Sequence, residues 1–203
     1  MNQTGLIYRF LAVATLVALV IGCAVKSETL NSMINAAEAL QAKDYSRFAD
    51  YVDVEAIIGQ AVDLTFDEMQ KHAKKKYAGL LGNVADLAKP FAVTQTKKQF
   101  AKMVENGEIL KAAPGISRLP SSEVLLNLVQ LFGVPKTDDK NYKIVDVKQT
   151  NDKERLKINV RMKAGDPWLP LDLESVKAGD HYRITRIVNL DQVYKQLLKN
   201  LPH

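Results

Sequence analysis

The chain has 203 residues, of which 47% are hydrophobic and 25% are charged, and its formal net charge at pH 7 is +5. Cys23 is its one cysteine, so a fold stapled by intramolecular disulfide bonds is excluded. The residues after Cys23, about 180, suffice for one domain that buries roughly 70% of the surface of its unfolded chain. We therefore expect a single domain that is held together by its hydrophobic core.

The first residues have the pattern of an export signal. Residues 1–9 carry the α-amino group and one cation, Arg9, and residues 10–21 are apolar apart from Thr15. A charged segment, about a dozen apolar residues and then a small residue are typical of a secretory signal peptide. The apolar run is shorter than the roughly 20 residues that a transmembrane helix needs. We predict a signal peptide over residues 1–22.

The signal ends with Val20, Ile21, Gly22 and Cys23, which are an aliphatic residue, a variable one, a small one and then cysteine. This order resembles the lipobox of bacterial lipoproteins. The resemblance implies that Cys23 is acylated, by palmitate among other chains, and becomes the N-terminus; each buried CH₂ adds about 0.8 kcal/mol to membrane binding. Because the residue after Cys23 is Ala24 rather than Asp, the resemblance also implies a location on the periplasmic face of an outer membrane. There are two alternatives. One is an ordinary signal peptide that is cut near Cys23 and leaves a free thiol, and the other is an uncleaved membrane anchor.

The mature chain is expected to begin with a tether and to continue as one α+β domain. We assign residues 23–27 to the lipidated tether and residues 28–203 to the domain. Helices come first, then a four-stranded antiparallel meander, then a C-terminal amphipathic helix. In the helical part, apolar residues recur at the i, i+3, i+4, i+7 spacing that gives a helix one buried face.

Local signals set the expected ends of these helices. Asp44 and Asp53 are placed to cap the second and third helices, and the third is expected to run toward Tyr77. Pro90 is expected to end the next helical stretch, because proline lacks an N–H and clashes with the preceding turn. A separate helix is expected over residues 96–105.

A loop and one more helix are expected before the sheet. Residues 111–120 contain two prolines and a glycine and predict a loop. Ser121 or Ser122 then caps an apolar helix, which Gly133 and Pro135 end because glycine adopts the left-handed conformation cheaply and proline cannot continue a helix.

From Asn141 the apolar period changes to two, which predicts β-strands. The four segments are YKIVDV (142–147), RLKINVRM (155–162), WLPLDLESV (168–176) and HYRITRIV (181–188). Short turns between them predict an antiparallel sheet with one wet face. The stripe from Leu190 to Leu201 predicts the closing amphipathic helix.

Most of the surplus of cations lies in residues 136–203. One hypothesis is that a basic sheet face meets an anionic partner, such as lipid head groups or an envelope polymer. The alternative is that acids on neighbouring strands pair with these cations. If residues 164–167 (AGDP) form the turn between the second and third strands, the expected pairs are Lys157 with Glu174, Asn159 with Asp172 and, across the next turn, Arg183 with Glu174.

The densest cationic run comprises Lys71, Lys74, Lys75 and Lys76. Near an anchored N-terminus, such a patch could contact anionic lipid, with about 1 kcal/mol from each cation close to the surface. The alternative is the solvated face of a helix. Nucleic acid is not expected as a partner, because the run has no interleaved aromatic residues for base stacking and the chain carries an export signal.

No catalytic, metal-binding or cofactor-binding residues are predicted. His72, His181 and His203 have no partner at metal-ligand spacing, and nucleophile-elbow, P-loop and zinc-protease motifs are missing from the sequence. A carboxylate pair could support glycoside hydrolysis, but spacing along a helix does not define a cleft, so caps and solvated faces are preferred. The carboxylates considered are Asp50, Asp53, Glu55, Asp63, Asp67 and Glu68. Trp168 and Tyr182 could line a pocket or simply pack.

The segment LQAKDYSRFADYVDVEAI (40–57) resembles a stretch in a group of uncharacterised bacterial exported proteins. The matching residues are Asp44, Phe48, Tyr51, Val52 and Asp53. The order of helices and then a sheet is similar to NTF2-like and cystatin-like folds, which implies a cone with an apolar cavity. The resemblance implies no catalytic residues.

Two hypotheses of function follow from these patterns. The first is a lipid-anchored, non-catalytic module of the cell envelope, acting by contacts with proteins or envelope polymers. The second is a carrier or sensor of an apolar, lipid-like ligand that binds in a cavity between helices and sheet. An envelope hydrolase is a third, supported by the carboxylates alone.

Overall fold

The computed structural model of the protein describes residues 27–72, 75–109, 139–161 and 165–199. Cys23, Lys74, His203 and the loop and helix expected over residues 111–132 lie outside these ranges. In chain order the helices before the sheet are α1 (Glu28–Gln41), α2 (Tyr45–Tyr51), α3 (Val54–His72) and α4 (Lys75–Glu105). After a 3₁₀ turn (Asp139–Asn141) come β1 (Tyr142–Gln149), β2 (Lys153–Val160), β3 (Leu169–Ala178), β4 (His181–Ile187) and the helix α5 (Leu190–Lys199).

The four strands form one antiparallel sheet in the order β1-β2-β3-β4, so the predicted meander and the α+β class are confirmed. One face of the sheet is buried because its side chains alternate as the sequence predicts. The buried apolar strand residues are Leu156, Ile158, Val160, Leu169, Leu171, Leu173, Tyr182, Ile184 and Ile187. Helix α1 crosses this face in contact with β2, β3 and β4, and α2 and α3 pack on β4.

The helix caps that the sequence predicts are present. Asp44 Oδ1 accepts a hydrogen bond of 2.9 Å from the backbone N–H of Arg47 at the start of α2. Asp53 Oδ1 accepts one of 3.1 Å from Ala56 at the start of α3. Each carboxylate satisfies an N–H that has no partner inside its helix. The closing helix α5 is also confirmed, and Leu190, Val193 and Tyr194 are buried among those of its side chains that the structure describes.

The prediction that a helix stops at Pro90 is wrong. Helix α4 continues through Pro90 to Glu105, so residues 96–105 are its last turns and not a separate helix. Contacts on both sides of the proline hold the helix together: Lys89 pairs with Asp63 of α3, and Phe100 and Val104 are buried in the core. Packing of this kind outweighs the intrinsic cost of one proline.

The predicted strand register is also wrong, by two residues. Lys157 lies opposite Asp172 and Asn159 opposite Pro170, while Glu174 faces Arg155 on one side and Arg186 on the other. Arg183 lies opposite Val176 instead. The connection between β2 and β3 is longer than the four-residue turn that the sequence indicated. Because the shift is even, every side chain keeps its predicted face.

Among the described helices, none combines the length and the apolar composition that crossing a bilayer requires.

Candidate functional site

A buried carboxylate holds the start of α1 against the sheet. Glu154 of β2 has no exposed surface, and its Oε1 accepts hydrogen bonds from Ser27 Oγ at 2.6 Å and from the backbone N–H of Thr29 at 2.9 Å. Its Oε2 accepts from the N–H of Glu28 at 3.1 Å. Ser27 Oγ itself accepts from the N–H of Leu30. The first turn of α1 is thereby capped by an anion from the sheet, where the helix dipole favours negative charge.

The sequence analysis missed Glu154, although a signal was present. Glu154 has the same phase as Leu156, Ile158 and Val160, so it is a charged residue on the apolar face of a strand. Such a residue is buried only if it is hydrogen-bonded or paired. Its partners, the N–H groups at the start of a distant helix, have no sequence pattern that points to β2.

Two further contacts fasten α1 to the sheet. The hydroxyls of Thr29 and Ser175 of β3 are hydrogen-bonded to each other, and Ser32 Oγ donates to the backbone oxygen of Tyr182 of β4. Ser27, the first residue that the structure describes, is 2% exposed and is held against the sheet. Only four residue steps separate it from Cys23, and a fully extended chain of that length spans at most about 14 Å.

A groove of about 280 Å³ lies beside this anchoring point, between α1 and the start of β4. Its lining is mainly polar: Glu28, Asn31, Ser32, Ile34, Asn35, Asp180, His181 and Tyr182. A polar groove suits water and polar groups better than the hydrocarbon of a lipid.

His181 forms one wall of this groove and is hydrogen-bonded through both ring nitrogens. Nδ1 lies 3.0 Å from Asp180 Oδ1, and Nε2 lies 3.0 Å from the backbone oxygen of Asp50. The ring packs on Tyr51, with 5.0 Å between centroids. The bond to Asp180 raises the pKa of His181, and His181 lowers the pKa of Asp180 in turn. The imidazolium, which donates from both nitrogens, is the form that satisfies both acceptors.

The groove contains a serine, a histidine and an aspartate, but they do not form a nucleophilic triad. In such a triad, the serine hydroxyl is hydrogen-bonded to the histidine nitrogen that removes its proton. Here Ser32 Oγ donates to the backbone oxygens of Glu28 and Tyr182, and His181 Nε2 faces the oxygen of Asp50. The arrangement holds strands and helices together and leaves no base beside the hydroxyl.

Three of the carboxylates that the sequence singled out act as a cap or as partners of lysines. Asp53 caps α3, Glu55 lies 2.7 Å from Lys97, and Asp63 lies 2.8 Å from Lys89. Within the described residues, no group of three or more His, Cys, Asp or Glu side chains is arranged to hold a metal ion.

Lys71 lies at the end of the fold that is remote from Ser27. Helix α3 starts beside Ile184, passes Ile187 at Gln60, and continues for 11 residues, or about 16 Å, to Lys71. Lys71 Nζ is 2.8 Å from Glu68 Oε1, and this hydrogen bond raises the pKa of Lys71. Lys75 and Lys76 are in the first turn of α4. Lys71 is therefore remote from Ser27, the first described residue of the chain.

The sheet face opposite the helices, which we call the open face, is rich in cations. The basic residues on it are Lys143, Lys148, Lys153, Arg155, Lys157, Arg161, Arg183 and Arg186, and the acidic ones are Asp146, Asp172 and Glu174. Arg155 holds Asp172 through two hydrogen bonds of 2.7 and 2.6 Å, which also raises the pKa of Arg155. Lys153 is 4.0 Å from Glu174 and Lys148 is 3.9 Å from Asp146. The acids therefore neutralise only part of the face.

Trp168 lies at one end of the open face, where two cations meet its ring. The guanidinium carbon of Arg161 is 4.6 Å from the ring centroid, and Lys143 Nζ is 5.6 Å from it. Trp168 is 36% exposed. Tyr182 is buried at the far end of the sheet and hydrogen-bonded to Gln149, so the two aromatic residues do not share a pocket.

Helix α4 exposes apolar side chains one turn apart. Leu87 is 84% exposed and Phe91 is 67% exposed; being four residues apart, they lie on the same side of the helix. Exposed apolar residues that lie together are typical of protein interaction surfaces.

No protein-family model, curated protein sequence or solved structure matches this chain.

Proposed function

We propose that the protein is a lipid-anchored, non-catalytic module of the bacterial cell envelope, held by acyl chains on Cys23 and acting through contacts with other envelope components. The observation that carries the proposal is the position of Ser27. The chain is fixed to the sheet from Ser27 onward by Glu154, so a lipid on Cys23 would hold the folded domain within about 14 Å of the membrane surface. On an outer membrane, the expected side is the periplasmic one.

The chemistry of the surface supports contacts rather than catalysis. The groove next to Ser27 contains no activated nucleophile, because Ser32 and His181 face backbone oxygens. The groove is mainly polar, so it lacks the character that the apolar-ligand hypothesis needs. By contrast, the open face carries cations that its acids only partly neutralise, and α4 exposes Leu87 and Phe91. Both are surfaces on which a partner can bind.

Metabolic labelling tests the anchor. The full chain, expressed in bacteria with labelled palmitate, is expected to take up the label and to fractionate with membranes. Cys23→Ser should abolish both, because the thiol is the acylation site. Ala24→Ser is the matched control: it places the same side chain one residue later, leaves the cysteine in place, and should keep the label. Labelled, membrane-bound Cys23→Ser protein would refute the proposal.

The orientation can be measured separately. Because Cys23 is the one cysteine of the chain and its thiol is consumed by the lipid, a second cysteine can be labelled uniquely with a fluorophore. Asn151→Cys places the dye in the β1–β2 turn, near Ser27, and Pro167→Cys places it in the β2–β3 connection at the other end. Energy transfer to a membrane-surface acceptor should be stronger from position 151. Equal transfer from both positions would contradict the short, fixed tether.

A further inference from the structure

We propose that Lys143, Arg161 and Trp168 form a binding site for an acidic polysaccharide, whose carboxylates contact the two cations and whose sugar ring packs on the exposed part of the indole. We call these three residues the Trp168 cluster. The proposal rests on the proposed function only for the source of the ligand, the cell envelope; the site itself rests on the geometry below.

Arg161 is positioned before any ligand arrives. Its Nε donates to Asn141 Oδ1 at 3.2 Å, and one Nη donates to the backbone oxygen of Lys140 at 3.1 Å. The Trp168 ring covers the guanidinium at 4.6 Å. A guanidinium has five N–H donors, so donors remain for an anion after these bonds are made. Pre-positioning reduces the entropy that binding must overcome.

Lys143 adds a second cation to the same place. Its side chain is exposed, and its Nζ lies 5.6 Å from the centre of the same ring. Neither Lys143 nor Arg161 forms an ion pair with an acid among the residues that the structure describes, whereas Arg155, Lys153 and Lys148 on the same face do. Lys157 and Arg186 lie opposite Asp172 and Glu174, whereas Lys143 lies opposite Asn159, so the positive charge of the open face is least neutralised at Trp168. Charge complementarity therefore selects an anionic ligand.

The position of the cluster favours a polymer over a lipid head group. Arg161 is seven residues beyond Glu154 along β2, which corresponds to about 23 Å at the rise of a strand. Since Glu154 holds Ser27, the Trp168 cluster lies at the end of the sheet that points away from the proposed anchor. A ligand at this end must come from outside the membrane surface.

An aromatic ring beside the cations favours a glycan over a simple anion. The indole presents a flat apolar surface next to polar groups, and it can pack against the C–H face of a sugar while its carboxylate reaches Arg161. Among the described residues of the open face, Trp168 is the one aromatic ring with cations over it. Single-stranded nucleic acid generally uses several stacking platforms in a row, so it is the less favoured polyanion.

The single tryptophan makes the test direct, because intrinsic fluorescence reports on Trp168 alone. The full chain in a non-ionic detergent is titrated with polygalacturonate, a carboxylated polysaccharide, with neutral dextran as the comparison. We expect a saturable change in Trp168 emission with polygalacturonate that weakens as salt is added, and no change with dextran. Lys143→Gln, an exposed change, and Arg161→Gln should each weaken binding about tenfold, as the loss of one charge-assisted contact predicts.

Lys148→Gln and Lys177→Gln remove exposed cations at the Ser27 end and are the matched controls, expected to bind within about twofold of the original chain. If they weaken binding as much as Lys143→Gln does, the binding is a general attraction between charges and not the work of a specific site. Unchanged emission with polygalacturonate, equal binding of dextran, or tighter binding of oligothymidylate or of anionic vesicles would each overturn the proposal. Cys23→Ser protein should bind unchanged, so failure of the anchor and failure of this site are distinguishable.

Discussion

Ser27 Oγ donates a hydrogen bond of 2.6 Å to Oε1 of Glu154, which lies 127 positions later in the chain. The same carboxylate accepts from two backbone N–H groups of the first turn of α1. One buried anion therefore satisfies three donors and joins the beginning of the domain to the second strand of its sheet.

The cap formed by Glu154 should be measurable in the free energy of unfolding. Glu154→Gln replaces one carboxylate oxygen by an NH₂ group that faces a donor, so at least one donor loses its acceptor. We expect a loss of about 1–3 kcal/mol, and a larger loss for Glu154→Leu, which leaves all three donors unpaired. Urea unfolding measures both changes. Glu105→Gln, on an exposed residue of α4, should stay within about 0.5 kcal/mol. Equal stability of the Glu154→Gln and Glu105→Gln chains would refute the cap.

Two phenylalanines of α4 should respond oppositely to truncation. Phe100 is 4% exposed and packs against Phe48, with 5.6 Å between ring centroids, so Phe100→Ala should cost about 3–5 kcal/mol. Phe91 is exposed, so Phe91→Ala should change stability by less than about 0.5 kcal/mol. It should instead reduce the binding of a fluorescent apolar dye to the folded protein. A large loss of stability in Phe91→Ala would mean that its side chain is covered in solution.

Removing the proline of α4 should stabilise the protein. Pro90 lies inside the helix, is exposed, and offers no N–H to the carbonyl four residues earlier. Pro90→Ala restores that donor, and we expect a gain of about 1–3 kcal/mol. The midpoint of thermal unfolding reports the change, with Lys98→Ala as an exposed control in the same helix. A lower midpoint for Pro90→Ala would indicate that the chain depends on a bend at this position.

His181 should make stability depend on pH. Its pKa is raised in the fold by Asp180, so its contribution is fully present below the unfolded value of about 6.5 and is lost as pH rises through the folded value. The pKa of Asp180 is lowered by His181, so its contribution is present above its unfolded value, about 3.9, and is lost as pH falls through the folded value. The pair therefore contributes most between about pH 4 and 6.5.

Unfolding of the original chain and of His181→Gln at pH 5.5 and pH 8.5 tests this dependence. The stability difference between the two chains should be larger at pH 5.5. Asp180→Asn should reduce the difference, since it removes the main acceptor, while Glu28→Gln across the groove should leave it in place. A difference that is the same at both pH values would mean that folding does not shift the pKa of His181.

The sequence predicted the sheet because one of its faces is buried and the other is wet. A period of two then marks every strand, and Leu156, Ile158 and Leu173 were assigned to the correct face. The register was not predictable from that alternation, because a shift by two residues leaves every face unchanged. Charge was the better guide: in the observed register Asp172 faces Lys157 and Glu174 faces Arg155, so both acids meet a cation.

The continuation of α4 through Pro90 and the site around Glu154 could not be predicted for a common reason. Both depend on contacts between distant parts of the chain, such as Phe100 with Phe48 and Glu154 with Ser27, whereas Pro90 and the polar N-terminus carry only local signals. The Trp168 cluster also depends on contacts between separate parts of the chain. Trp168, Arg161 and Lys143 come from three segments that only the sheet brings together.

The bond between Ser27 and Glu154 also constrains the order in which the chain can fold. The first helix cannot complete its cap until residue 154 has been made and β2 has paired, and its contact with Ser175 waits longer still. Contacts between residues so far apart in the sequence form slowly, because the chain must first lose the entropy of a long loop. We therefore expect α1 to stay incompletely capped during synthesis. The domain should reach its native state only after the last third of the chain has been made.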